Sequence, residues 1–331
     1  MERLGVAFAE GLQPGEVVEC VKLAEQMGYE SAWMAEGHGG DQFSILTACA
    51  AATDRILLGT SISSVFVRSA PTIAMAAATV DLYSQGRFIL GLGSSHRVQV
   101  EPEHGLTFGR PVQRMRECID IVRTLLRDGE VSYRGEIYDI DNFKLWFEPH
   151  RQEMPVYAAA VFPRMLEVCG EIAQGALLVW TTVEYCKTAA GHVAAGARRA
   201  GRDPSEVDVA TMVPCAVSDD KDRARDSMRM AIASYVGRFP RYRRLMAEAG
   251  YADELEEVRQ AWEEGDVPGS LALVPKPLID SVTLVGTAEE CRARLDTYRA
   301  SGIDLPIIFP NTSGPQAKAE AMEIIRACAP R

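Results

Sequence analysis

The sequence predicts an α/β fold: a (β/α)8 barrel with insertions after strands 4 and 7. Two observations carry this. First, eight short apolar segments alternate with amphipathic helical ones along 331 residues, and such alternation gives a parallel sheet covered by helices. Second, the turn after the first strand reads Phe8-Ala9-Glu10-Gly11. An open doubly wound sheet needs a glycine-rich phosphate turn there. The barrel is favoured, as a single domain over 1–331 with a helical insertion at 219–280.

The elements follow in order. Leu4–Phe8 is the first strand, and its helix keeps Val17, Val21, Ala24 and Met27 on one face until Gly28 caps it. Ser31–Met34 and the helical segment 41–52 form the second unit. Arg55–Thr60 and a helix from Pro71 to Ser84 form the third, with proline where a missing N–H costs nothing. Arg87–Gly91 is the fourth strand. Pro111 opens a helix whose apolar positions (Met115, Cys118, Ile119, Val122, Leu125, Leu126) keep helical spacing. After that helix, 131–147 alternates as a hairpin outside the main sheet.

Pro155–Ala159, Ala176–Trp180 and Val207–Val213 are strands five to seven, with helices near 163–173 and 184–200. The segment 219–280 is polar, helical and too long for one crossover. Thr287-Ala288-Glu289-Glu290 is a capping box. The helix it starts ends at Gly302, and Ile303–Phe309 is the eighth strand.

Apolar residues make up 47% of the chain, enough for one large core. A formal charge of −11 argues against nucleic acid and anionic membrane surfaces as partners. No N-terminal run resembles a signal peptide and no apolar run reaches a membrane span. The eight cysteines are scattered without a C-x-x-C pair, as expected of reduced thiols in a cytoplasmic protein. The five histidines lack metal-binding spacing, and no metal is expected.

Barrel chemistry belongs to residues just past the C-terminal strand ends. Here those are Glu36-Gly37-His38, Thr60–Ser64, Gly93-Ser94-Ser95-His96, Ala160-Val161-Phe162 and Thr181-Thr182. Strands four and six end without the paired carboxylates of a glycosidase. No strand end carries a Schiff-base lysine, and the first strand has no histidine for a metallohydrolase. A mouth of Gly, Ala, Ser and Thr is a poor acid–base device but a good slot for a flat ring that brings its own chemistry.

These residues carry a resemblance. Trp33-Met34-Ala35-Glu36-Gly37, the run Arg55–Ile62, the block from Arg68 to Gly93, Glu101–Gly105, Pro111–Glu117, Pro155–Gly175 and Leu284–Thr287 stand in the order seen in the luciferase-like monooxygenase superfamily. The chain is most similar to its methylenetetrahydromethanopterin reductase-like branch, over nearly its whole length. The resemblance implies a homodimeric oxidoreductase that binds coenzyme F420 or FMN at the barrel mouth. It also implies a non-proline cis peptide between Ser61 and Ile62, in a bulge behind the ring. Both rings are flat and carry a ribityl phosphate, so the residues themselves do not separate them. Kinship to the reductase branch favours F420 and hydride exchange with a small organic substrate. An FMN-dependent monooxygenase is the alternative, and a flavin-binding paralogue without catalysis is a third.

Carried onto this chain, the resemblance nominates Glu36 and His38 for proton handling, although Gly37 separates an acid–histidine pair often adjacent in relatives. A solvated loop histidine is the competing reading. Ser61, Ile62, Ser94, Ser95, His104, Ala160, Val161, Gly175 and Ala176 are nominated to flank the cofactor, and Thr181 and Thr182 to hold its phosphate. The serines compete with ordinary polar turns, and His104 with a capping role. Arg238, Arg241, Arg243 and Arg244 around Phe239-Pro240 read either as a solvated helix face or as a lid that meets an anionic tail.

Overall fold

A computed structural model describes residues 2–331. In chain order the strands are β1 (Gly5–Phe8), β2 (Ser31–Met34), β3 (Leu57–Thr60), β4 (Ser63–Ser64), β5 (Phe88–Gly93), β6 (Glu130–Arg134), β7 (Asp139–Lys144), β8 (Val156–Ala159), β9 (Gly175–Val179), β10 (Asp208–Val217), β11 (Leu284–Gly286) and β12 (Leu305–Pro310). The parallel ring runs β1-β2-β3-β5-β8-β9-β10-β12 and closes where β12 pairs with β1. This is the (β/α)8 barrel. The hairpin β6–β7 forms its own antiparallel sheet, and helices fill 221–282 apart from short connections.

Strand β3 starts at Leu57 rather than Arg55 because the Glu25 carboxylate accepts the N–H groups of Asp54, Arg55 and Ile56, which holds them in a turn. Strand β10 runs on to Val217, beyond the expected Val213, because β11 pairs along its far end. That pairing makes Leu284–Gly286 a strand, which periodicity in so short a run does not reveal. The capping box at Thr287 and Glu290 is present, and Gly302 (φ 92°) follows the helix it starts.

The core has two layers, as closure demands. Helices pack outside the ring on Leu58, Leu90, Val156 and Leu178. Inside the ring sit Ala7, Trp33, Ile89, Tyr157, Leu177, Ala210 and Ile307. The Trp33 and Tyr157 rings lie 5.5 Å apart, and the indole N–H donates to Ser31 Oγ at 2.9 Å. Glycine makes room for both: a Cβ on Gly59 would meet the Trp33 ring at 2.3 Å, and one on Gly175 the Tyr157 ring at 2.5 Å. Below them the Arg3 guanidinium bridges Glu30 and Asp208, which also accepts from the Tyr157 hydroxyl. The bottom of the barrel is thus sealed, and the other end is free for a site. Among the described residues no helix is long and apolar enough to cross a membrane.

Candidate active site

The C-terminal strand ends open into a cavity of about 730 Å³. Its floor is the top of the barrel interior: Ala7, Ile62, Ala159, Leu177, Met212 and Phe309. Glu36–His38, Ser94–His96 and Ala160–Phe162 form the sides. Tyr235, Arg238, Phe239, Arg241, Tyr242 and Arg244, where two helices of the insertion meet, form the roof.

Strand β3 does not run straight into the mouth. The Ser61–Ile62 peptide is cis, and the chain re-enters the sheet as β4, which pairs Ser63 with Leu92 and Ser64 with Gly93. A Cβ on Gly93 would lie 2.3 Å from Ile62 Cγ1, so glycine there lets the Ile62 side chain settle beside β5. The Glu36 carboxylate locks the bulge from the other side. It accepts the Ser64 N–H at 2.8 Å and pairs with Arg68, which also reaches Asp41. With both oxygens engaged, Glu36 acts here as a brace for the bulge.

A flat heteroaromatic ring fits this floor. The surface is backbone, small side chains and aliphatic groups, and Ser61, which lines it, carries a buried hydroxyl without a hydrogen-bond partner among the described residues. An unpaired buried hydroxyl is costly unless a ligand completes it. Ser61, Ile62, Ser94, Ser95, Ala160 and Val161 all line the cavity. Ser95 holds a left-handed backbone (φ 52°), uncommon for a residue with a side chain.

The other nominated residues lie elsewhere. Gly175 sits at the start of β9, where it accommodates Tyr157, and Ala176 beside it is buried in the wall. Both are at the wrong end of the strand to touch a ligand in the mouth. The Thr182 hydroxyl caps the helix Val183–Arg199 by accepting the Tyr185 N–H at 3.1 Å. Thr181 is buried against Thr211 and Cys186. Neither residue lines the cavity. His104 ends the helix Arg97–His104 on the exposed surface, outside the cavity. His38 does reach the cavity but stands at its rim, with its side chain 77% exposed and Nε2 3.3 Å from Glu103 Oε2.

His96, which nothing in its sequence neighbourhood singles out, is the histidine most deeply set in the site. Its ring lies 4.8 Å from Phe239, edge-on, and 5.1 Å from Tyr242. Burial, with the nearby Arg241 charge, pushes the imidazole down to about 4. The missing signal was the roof: residues some 140 positions later create this environment. The roof also gathers cations. Arg238, Arg241 and Arg244 line the cavity with Arg164 from the opposite side, whereas Arg243 turns back to the Val236 carbonyl. Arg241 and Arg164 make no ion pair among the described residues.

Comparison with known proteins agrees with this architecture. The chain is 28% identical to 5,10-methylenetetrahydromethanopterin reductase of Archaeoglobus fulgidus, with 99% of each chain covered. It shares its fold with the coenzyme F420-dependent tetrahydromethanopterin reductase of Methanopyrus kandleri, at a TM-score of 0.88 and 22% identity over 99% of this chain and 98% of that one. An F420-dependent secondary alcohol dehydrogenase, solved with an F420–acetone adduct, superimposes with a TM-score of 0.80 and 21% identity over 99% of both chains. The family model for luciferase-like monooxygenases matches residues 3–305, and the chain belongs to that family of oxidoreductases.

Proposed function

We propose that this chain is an F420-dependent oxidoreductase that exchanges hydride with a small organic substrate. The observation that carries the choice of cofactor is kinship to reductases and F420-dependent oxidoreductases over nearly the whole chain, and the roof suits the anionic tail of such a cofactor. A chain of net charge −11 gathers Arg164, Arg238, Arg241 and Arg244 around one cavity, where they suit a ligand with an anionic tail. Ser61, Ile62 and Gly93 would support the ring from below, and Ser94 and Ser95 would bond to its edge or ribityl chain. A reduced deazaflavin held there supplies hydride, and its oxidised form accepts one. The protein's own part is to orient the ring, exclude water with Phe239 and Tyr242, and leave one ring face open to the substrate. His38, tied to Glu103 at the rim, would relay protons between the mouth and solvent.

Titrating the chain with F420 and with FMN while following cofactor fluorescence tests this reading. F420 should saturate it, and the paired change Arg164→Ala, Arg241→Ala should weaken F420 by about tenfold at low salt. Saturation by FMN alone would overturn the assignment and leave the oxygenase reading. Binding of F420 with no turnover of any acceptor would leave the non-catalytic one.

Two further features belong to the proposal. The outer helix Ala70–Tyr83 exposes Met75, Leu82 and Tyr83 along one stripe, which suits a homodimer contact. Light scattering at twice the chain mass would support it, and a monomer at high concentration would exclude it. All eight cysteines are free and buried, which suits a cytoplasmic setting. Localisation of a tagged chain to another compartment would refute that.

A further inference from the structure

His96 is the N-cap residue of the helix Arg97–His104, yet its side chain makes no capping hydrogen bond. Nor does the ring form a side-chain hydrogen bond or an ion pair with any described residue; its neighbours are the rings of Phe239 and Tyr242. An imidazole has one ring nitrogen to donate and one to accept when neutral. The ring is part-buried and lines the cavity, so its nitrogens are open to a ligand that enters there. Of the other polar groups of the cavity, Glu36 braces the bulge, the arginines form the exposed roof, and the unpartnered Ser61 hydroxyl lies in the floor beside the cis peptide.

We propose that His96 is a catalytic residue whose ring N–H holds a single carbonyl or hydroxyl oxygen of an otherwise apolar substrate, lodged against Phe239 and Tyr242. This rests on the hydride-transfer reading, in which the oxygen-bearing carbon must face the cofactor ring. Burial keeps the imidazole uncharged at neutral pH, since it is pushed down to about 4. An uncharged donor suits a neutral oxygen. A carboxylate would instead turn to Arg241, whose charge already bears on the same ring. The aromatic walls supply the apolar part of the recognition.

The test uses the full chain without cofactor and three ring-sized probes: cyclohexanone, methylenecyclohexane and cyclohexanecarboxylate. Histidine 15N labelling reads the ring nitrogens, with His96 identified by the resonance lost in His96→Phe. Cyclohexanone should move the His96 N–H signal, and methylenecyclohexane should not. His96→Phe keeps an aromatic ring against the roof but removes the donor; it should bind cyclohexanone about tenfold more weakly and lose the preference for ketone over hydrocarbon. His96→Asn, which restores an N–H, should recover binding to within about threefold. Equal binding of ketone and hydrocarbon by the unmodified chain would overturn the proposal. So would a preference retained in His96→Phe, stronger binding of the carboxylate, or binding of none of the three. No arm contains F420, so a chain that fails to bind F420 defeats the hydride reading separately.

Discussion

His38 Nε2 lies 3.3 Å from Glu103 Oε2, while the other oxygen of the same carboxylate faces Arg238 Nη2 at 3.6 Å. One side chain on the helix Arg97–His104 thus spans the mouth, from the loop after β2 to the end of the roof helix. Each contact is exposed and worth roughly 0.2–1 kcal/mol. Glu103→Gln should raise the dissociation rate of bound F420 about two- to fivefold. Stopped-flow fluorescence would read this. The gap between variant and parent should shrink in high salt, because screening already weakens the parent's contacts.

The floor depends on the absence of a side chain at Gly93. A methyl group there would displace Ile62, whose Cγ1 would be 2.3 Å away and whose Cβ only 3.2 Å away, too near the backbone to swing aside. Gly93→Ala should weaken F420 by tenfold or more, an expectation from the cost of overpacking, about 1–3 kcal/mol. Circular dichroism should show the fold intact. Unchanged affinity would mean that the ring does not rest on this bulge.

Asp81 is buried, and its carboxylate receives Arg151 at 2.6 and 3.1 Å together with the Phe88 N–H. The pair ties the segment before β8 to the start of β5. Arg151→Met leaves the buried carboxylate short of its cation and should cost about 3–5 kcal/mol in denaturant unfolding. The double variant Arg151→Met, Asp81→Leu should recover part of that loss.

Glu117, buried in the helix Pro111–Asp128, accepts the N–H groups of Glu136, Ile137 and Tyr138 and so anchors the turn between β6 and β7. Burial alone would push the carboxyl up, but Gln113 and these three N–H donors outweigh it and hold it below the usual range. A carboxylate lowered on folding adds stability that is complete above its unfolded value of about 4.3 and fades as pH falls through the folded one. Glu117→Gln should therefore lose about 1–3 kcal/mol at pH 7. Its deficit relative to the parent should narrow on acidification below about pH 4, as denaturation midpoints across that range would show.

Much of this was legible in the sequence because its causes are local. Alternating strands and helices, the proline starts, the capping box at Thr287 and the small residues after Gly59 each act within a few positions, and the cis Ser61–Ile62 bond followed from family resemblance. What was not legible depends on distant partners. Thr182 caps its own helix outside the cavity, and Gly175 makes room for the Tyr157 ring rather than for a ligand. His96 had no context because Phe239 and Tyr242 come from the insertion, whose docking onto the mouth no periodicity records.

The ring contact between Trp33 and Tyr157 inside the barrel constrains how this chain could drift. Gly59 and Gly175 each stand where one of those aromatic rings occupies the space of a side chain. The four positions therefore share one fixed volume and must change in concert. A larger residue at 59 requires a smaller one at 33, and 175 answers to 157 in the same way. Relatives should show these exchanges as coupled substitutions. A barrel redesigned to accept a wider ring would have to begin by trading volume within this quartet, one layer beneath any residue that touches the ligand.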